Sequence, residues 1–190
     1  MQRKWLQNNE IGHNMDKKIE GHTRFHFINP NELSLAYKGL EFNILCNTML
    51  ENSIDCMGLM EVNLDTMCGS VTKPLNAISH EIFNHSQLNS ASSSTPVKEY
   101  YKPGGTLSMT QGNLTGRIIE KRADKYGRWV YTKFAAKNNT IITVLTAYQP
   151  CTVTKKQGIT TYHQQVAMLQ QDGCPLTPRE AFITDITKWL

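Results

Sequence analysis

The spacing of apolar and polar positions along the chain changes several times, and each change marks an element. Arg24 to Ile28 runs Arg-Phe-His-Phe-Ile, an alternation that predicts a strand. Asn29-Pro30-Asn31 ends it, because proline cannot donate to a ladder and asparagine favours turns. Ser34 is then read as the cap of a helix running to about Leu50, with Tyr37, Leu40 and Ile44 recurring at helical spacing, and Phe42, Leu45 and Met49 doing the same. So wide an apolar face belongs to a helix lying on a sheet. Ile54 to Met60 is an apolar run too short for an ordinary helix and reads as a buried strand. Polarity returns abruptly at Glu61-Val62-Asn63-Leu64-Asp65. A short helix follows, with Pro74 near its start and Leu75, Ile78 and Ile82 on one face. Ser86 to Ser94 is serine-rich, either an edge strand or a loop.

From Pro103 onward the pattern is that of hairpins. Pro103-Gly104-Gly105 is a turn, Thr106 to Thr110 and Thr115 to Arg122 are strand-like, and Asp124 to Gly127 is a loop whose glycine suits a positive φ. Arg128 to Ala136 alternates, with Trp129, Tyr131 and Lys133 on one side and Val130, Thr132 and Phe134 on the other. Lys137 to Thr140 turns the chain into a β-branched strand from Ile141 to Tyr148. Tyr162 to Gln171 predicts a helix. Thr177-Pro178-Arg179-Glu180 predicts another, by a capping box with proline at the first helical position, and Phe182, Ile186, Trp189 and Leu190 share a face of it. Strands mixed with helices in this order place the fold in the α/β (α+β) class.

Composition narrows this only a little. With 190 residues, 39% of them hydrophobic, the chain fits one domain, read as residues 23–190 behind a polar, disordered leader at 1–22. A net charge of +4 permits contact with a polyanion without requiring it. The densest basic cluster, Arg117, Lys121, Arg122, Lys125 and Arg128, is interrupted by Glu120 and Asp124 and reads first as a solvated charged hairpin. Five cysteines with no Cys-x-x-Cys pair, and a start without a signal-peptide pattern, read as reduced thiols in an intracellular protein, nuclear or cytoplasmic. No apolar run approaches membrane-spanning length. His22 and His26 have a His-x-x-x-His spacing, but no cysteine pair precedes them and zinc is not expected.

The candidate chemistry sits where strands end. The first strand ends at Asn29 and Asn31, the second at Glu61, Asn63 and Asp65, and a later one at Tyr148. Active sites gather at such ends, and an oxygen-rich set of carboxylate and amide groups suits a hard cation such as Mg²⁺. A tyrosine hydroxyl in the same place can donate to a phosphate oxygen.

Taken together, these segments resemble the endonuclease/exonuclease/phosphatase superfamily, nearest in flavour to the endonuclease-like domains of retroelements. Asn29-Pro30-Asn31-Glu32-Leu33 is similar to the family's Asn-x-Asn/Asp-Gly-Leu strand end, Leu59-Met60-Glu61-Val62-Asn63 to its Leu-Gln-Glu-Thr/Val strand end, and Thr146-Ala147-Tyr148-Gln149-Pro150 to its phosphate-contacting tyrosine followed by proline. Pro103-Gly104-Gly105-Thr106 and Gly127-Arg128-Trp129 resemble later strand starts of the same family. The resemblance implies part of a four-layer α/β sandwich with mixed, largely antiparallel sheets. It implies Mg²⁺ (or Mn²⁺) bound by Glu61 with support from Asn31, Asn29 orienting groups, and Tyr148 contacting the scissile phosphate of DNA or another phosphodiester. Arg117, Lys121 and Arg128 then become candidate nucleic-acid contacts. Phosphoinositide phosphatases, sphingomyelinase-like enzymes and a non-catalytic relic or interaction module are the alternatives. Pro30, Glu32 and Met60 depart from the family pattern, Glu32 standing where glycine is favoured. The family's Gly-Asp-x-Asn and Ser-Asp-His motifs do not occur, so the resemblance implies an N-terminal portion, inactive alone.

Overall fold

The computed structural model describes residues 16–95, 102–152 and 160–188. The chain forms β1 (Phe25–Ile28), α1 (Ala36–Glu51), β2 (Cys56–Met60), α2 (Gly69–Ile82), β3 (Ser86–Ala91) and β4 (Thr106–Gln111), then β5 (Ile118–Ala123), β6 (Trp129–Ala135), β7 (Ile141–Ala147), α3 (Thr161–Gln171) and α4 (Pro178–Thr187). One sheet has the order β1-β2-β4-β3, with β1 and β2 parallel and the other pairs antiparallel; the second is an antiparallel meander, β5-β6-β7. The α+β class and the mixed, largely antiparallel pairing read from the sequence are what the chain adopts.

The two sheets lie face to face. β2 shows how, because successive side chains on a strand point to opposite faces. Met57 and Leu59 are buried in a large apolar core with Phe42, Cys46 and Met49 of α1 and Val71 and Leu75 of α2. Cys56, on the other face, is buried with Phe134 of β6 and Val144 of β7. Helices therefore cover one face of the first sheet and the meander covers the other. β3 and β5 are stitched at one edge: the Asn89 side-chain amide donates to the Arg122 carbonyl at 3.2 Å, and Lys121 Nζ donates to Gln87 Oε1 at 2.8 Å. α3 and α4 meet the loop before β6, where Tyr126 is buried with Met168, Leu169 and Ala181.

Several local expectations need correction. Ser34 does not cap α1: Tyr37, Lys38 and Gly39 are left-handed, so the regular helix starts after them. Ser34 instead accepts from the Ala36 amide through its hydroxyl, while its own amide donates to Glu41. Gly39, at φ +71°, also lets the two helices approach, since a Cβ there would lie 2.6 Å from Ile78 Cδ1. Pro74 lies inside α2, not near its start. It is exposed, and its missing N–H leaves the Ser70 carbonyl without its helical donor, a loss that solvent can make good. The strand expected from Thr115 begins only at Ile118, because Gly112–Arg117 is a 3-10 turn closed by Thr115 Oγ1 on the Gly112 carbonyl at 2.7 Å. The α4 capping box is present in both directions, Thr177 with Glu180. Residues 1–15 of the expected leader, and Trp189 and Leu190, lie outside the described residues. Lys18, in the leader's last part, pairs with Asp55.

Candidate functional site

The ends of β1, β2 and β7 come together, and with them Asn29, Glu61 and Tyr148. β1 and β2 run parallel in register from Phe25–Cys56 to Ile28–Leu59, so their C-terminal ends fall side by side. Asn29 Nδ2 donates to Glu61 Oε2 at 2.6 Å. Asn29 Oδ1 accepts from the Asn31 backbone amide at 2.9 Å, a local turn that fixes which side of the Asn29 side-chain amide faces Glu61. Tyr148 approaches the same carboxylate from the second sheet, and both side chains line one cleft. Burial first, and the neighbouring Glu61 carboxylate second, push the Tyr148 hydroxyl well above the ordinary tyrosine value. It therefore stays protonated, able to donate, across the whole neutral range.

The backbone here is unusual. Asn31, Glu32, Glu61 and Asn63 all have positive φ, at 54°, 126°, 53° and 53°. Asparagine tolerates this region; glutamate does not favour it, and each such residue costs on the order of 1–3 kcal/mol unless its surroundings hold it. Those surroundings are visible. The Leu33 amide donates to the Val62 carbonyl at 2.9 Å, the Asn63 amide to the Gly104 carbonyl at 2.8 Å, and the Gly104 amide to Asn63 Oδ1 at 2.7 Å. The Pro103-Gly104-Gly105 turn thus clamps the segment that carries Glu61. Glycine is required at 104 twice over: φ is +86°, and a Cβ would lie 2.6 Å from Thr161 Cγ2 at the start of α3.

These pieces enclose a cleft of about 290 Å³ lined by Asn31, Glu61, Asn63, Tyr148, Cys151 and the Thr160–Tyr162 start of α3, among others. Among the described residues that line it, Glu61 is the one carboxylate, and none is a lysine, arginine or histidine. No group of three or more His, Cys, Asp or Glu side chains suited to a metal occurs among the described residues. The donors among the described lining residues are the Glu61 carboxylate and the Asn31 and Asn63 amides, with the Cys151 thiol also in the wall. That fits Mg²⁺ or Mn²⁺, since Mg²⁺ is often held by one or two carboxylates and keeps several waters. It does not fit zinc.

Other expected residues fall elsewhere. Asp65, at the end of the same polar run, turns away to Lys102 Nζ at 3.1 Å and to Ser92 Oγ at 3.3 Å. Lys102 is itself 2% exposed, so this pair belongs to the interior. His26 is half-buried in β1, and desolvation lowers its pKa. Of the basic trio, Arg128 is a correction. It is 1% exposed, bonded through Nε to Asp124 at 2.7 Å and through Nη2 to Asp185 of α4, and stacked over the Tyr126 ring. A guanidinium held between two carboxylates inside the protein offers nothing to a nucleic acid. Arg117 and Lys121 are exposed. Yet Ile118, beside Arg117, pairs with Phe134 near the far end of the meander, whereas Tyr148 sits beyond the Trp129–Ala147 pair. At about 3.3 Å per residue, Arg117 lies roughly 20 Å along the sheet from the cleft.

No family model matches the chain, and no curated protein matches it significantly. Solved structures do. Structural neighbours include an AP endonuclease and endonuclease/exonuclease/phosphatase proteins. An AP endonuclease from Leishmania major aligns at TM-score 0.46 and 16% identity, over 67% of this chain and 40% of that one. An endonuclease/exonuclease/phosphatase family protein from Leptotrichia buccalis aligns at TM-score 0.47 and 13% identity, over 79% and 63% of the two chains. An endonuclease/exonuclease/phosphatase from Beutenbergia cavernae aligns at 0.37 and 9%, over 77% and 42%. The chain thus spans between 40% and 63% of the length of these proteins. No helix among the described residues is long and apolar enough to cross a membrane.

Sequence reasoning missed the far wall of the cleft: Pro103, Cys151 and the start of α3. One signal was available, the Thr160 hydroxyl that caps α3 by accepting from the His163 amide at 3.3 Å.

Proposed function

We propose that this chain carries part of the site of a divalent-metal-dependent phosphodiesterase, a DNA endonuclease of the retroelement type. The observation that supports it best is the convergence of Asn29 and Tyr148 on the Glu61 carboxylate, in a cleft lined, among the described residues, by no cation. A phosphodiester is an anion. The Glu61 carboxylate would repel it, and a divalent cation held there would reverse that effect. Glu61 and Asn31 would hold that cation. When bound, it would supply charge stabilisation at the phosphate oxygens.

The remaining roles belong to the chain. Asn29, fixed by the Asn31 amide, holds the Glu61 carboxylate in one orientation. Tyr148, kept protonated, donates to a phosphate oxygen when substrate arrives. The Thr160–Tyr162 start of α3 forms the opposite wall. With Glu61 engaged by the cation, the described lining residues include no second carboxylate and no histidine to deprotonate the attacking water, and we expect the chain not to cut unaided.

The test is a Mn²⁺ titration of isotopically labelled chain followed by NMR. Paramagnetic broadening should centre on Glu61 and Asn31 and vanish in Glu61→Ala. Broadening that is absent, or that survives Glu61→Ala, refutes the site. Incubation with abasic-site DNA and Mg²⁺ should give no nicking by the chain alone. Nicking that Glu61→Ala abolishes would show instead that the cleft is catalytically complete.

A further inference from the structure

β2 carries a glycine at Gly58, in the middle of a strand, whose φ is not in the positive range. Glycine inside a strand costs roughly 0.5–1 kcal/mol relative to alanine. Nothing in the backbone conformation asks for it, so the reason lies in the missing side chain. Gly58 shares a face with Cys56, the face turned toward the second sheet. A Cβ at this position would lie 2.4 Å from Thr146 Oγ1 and 2.6 Å from Phe27 Cδ1.

The two obstacles are unequal. Phe27 is 47% exposed on an edge strand and can swing aside. Thr146 is 1% exposed in β7, paired with Val130, and cannot. Its hydroxyl is buried without a hydrogen-bond partner, pressed against bare backbone. Any side chain at residue 58 must therefore push β7 outward. Tyr148 follows Thr146 by two residues on the same face, and its amide is tied to the Arg128 carbonyl at 2.7 Å, so it moves with the meander. Glu61 follows Gly58 by three residues on the first sheet. The contact at Gly58 thus lies one step behind the place where the two sheets meet through Tyr148 and Glu61.

We propose that Gly58 is a positioning residue: its absent side chain sets the separation of the two sheets at the cleft and so brings Tyr148 up to Glu61. The inference rests on the Glu61–Tyr148 site described above, though not on its metal.

A double-mutant cycle tests it. The coupling between Glu61→Ala and Tyr148→Phe, read from urea unfolding, should be measurable in the native background. It should disappear in Gly58→Ala and return in Gly58→Ala/Thr146→Ala, where the obstructing hydroxyl is gone. Ile78→Val, in the helix-covered core, should lower stability and leave the coupling unchanged. Coupling that persists in Gly58→Ala, or that Thr146→Ala does not restore, overturns the proposal, as does absence of coupling in the native chain. If Gly58→Ala alone does not unfold cooperatively, the double variant decides: native-like unfolding with coupling supports the proposal, and failure to recover overturns it. A native chain that shows the coupling but binds no Mn²⁺ refutes the functional reading and leaves this one standing.

Discussion

On its helix side the first sheet presents Met57, Leu59, Leu107 and Met109, all fully buried against Phe42, Met49, Val71 and Leu75. On its other side the same two central strands present Cys56, Gly58, Thr106, Ser108 and Thr110, equally hidden but small and largely polar. The first interface is bulky and non-directional, the second thin and full of groups that must find partners. Some do: Cys56 and Ser108 are in contact, and the Asn89 amide donates to the Tyr131 carbonyl at 2.9 Å. Others, such as the Thr106 and Thr146 hydroxyls, do not. The difference suggests a division of labour. Apolar burial on the helix side supplies cohesion, and short side chains on the other let two sheets approach until residues from both share one carboxylate.

The largest test is on the cohesive side. Phe42→Ala should lower unfolding free energy by about 3–5 kcal/mol, as large-to-small core changes do, measured by urea denaturation. If it also abolished the Glu61–Tyr148 coupling, the two faces would not be separable. Next comes Arg128→Ala, which leaves Asp124 buried and unpaired and should cost about 3 kcal/mol. That loss belongs to the meander, so the coupling should weaken with it, because Tyr148 hangs from the Arg128 carbonyl. Thr146→Val should be neutral or stabilising by up to about 1 kcal/mol in a thermal melt, since it removes an unpartnered hydroxyl at nearly constant shape. A clear loss would mean the hydroxyl has a bonding role.

Thiol chemistry gives the finest comparison. All five cysteines are free. Cys68, exposed and lowered by hydrogen bonds from Ser70, should react first with a disulfide reagent. Cys46, on the helix side, and Cys56, between the sheets, should react only on unfolding. Burial raises both and pushes Cys46 from 9.0 to about 12. The sign follows: the native state keeps Cys46 protonated, so stability is intact below pH 9 and declines as pH rises from there toward 12. Cys46→Ala should flatten that alkaline decline.

Local chemistry made part of this legible in advance. The Thr177–Glu180 box closes within four residues, and β2 and β7 announce themselves by short apolar runs. The need for a positive φ at Glu32 was readable from the glycine that the resembling family favours there, and the residue sits at 126°. Arg128 was not legible, because its burial is decided by Asp185, 57 positions later. Nor was the parting of Glu61 from Asp65, which turns on a buried Lys102 that spacing along the chain does not reveal. The late start of α1 escaped because three left-handed residues stand where the apolar spacing already looks helical.

Arg128 has one more consequence, which is mechanical. Its side chain grips Asp185 on α4 while its carbonyl holds the amide of Tyr148. Tension applied to the last helix therefore has a direct route to the cleft through Arg128, alongside the apolar contacts of Ala181 with Tyr126, Met168 and Leu169. Under such a pull Tyr148 should part from Glu61 while the helix-covered sheet is still intact.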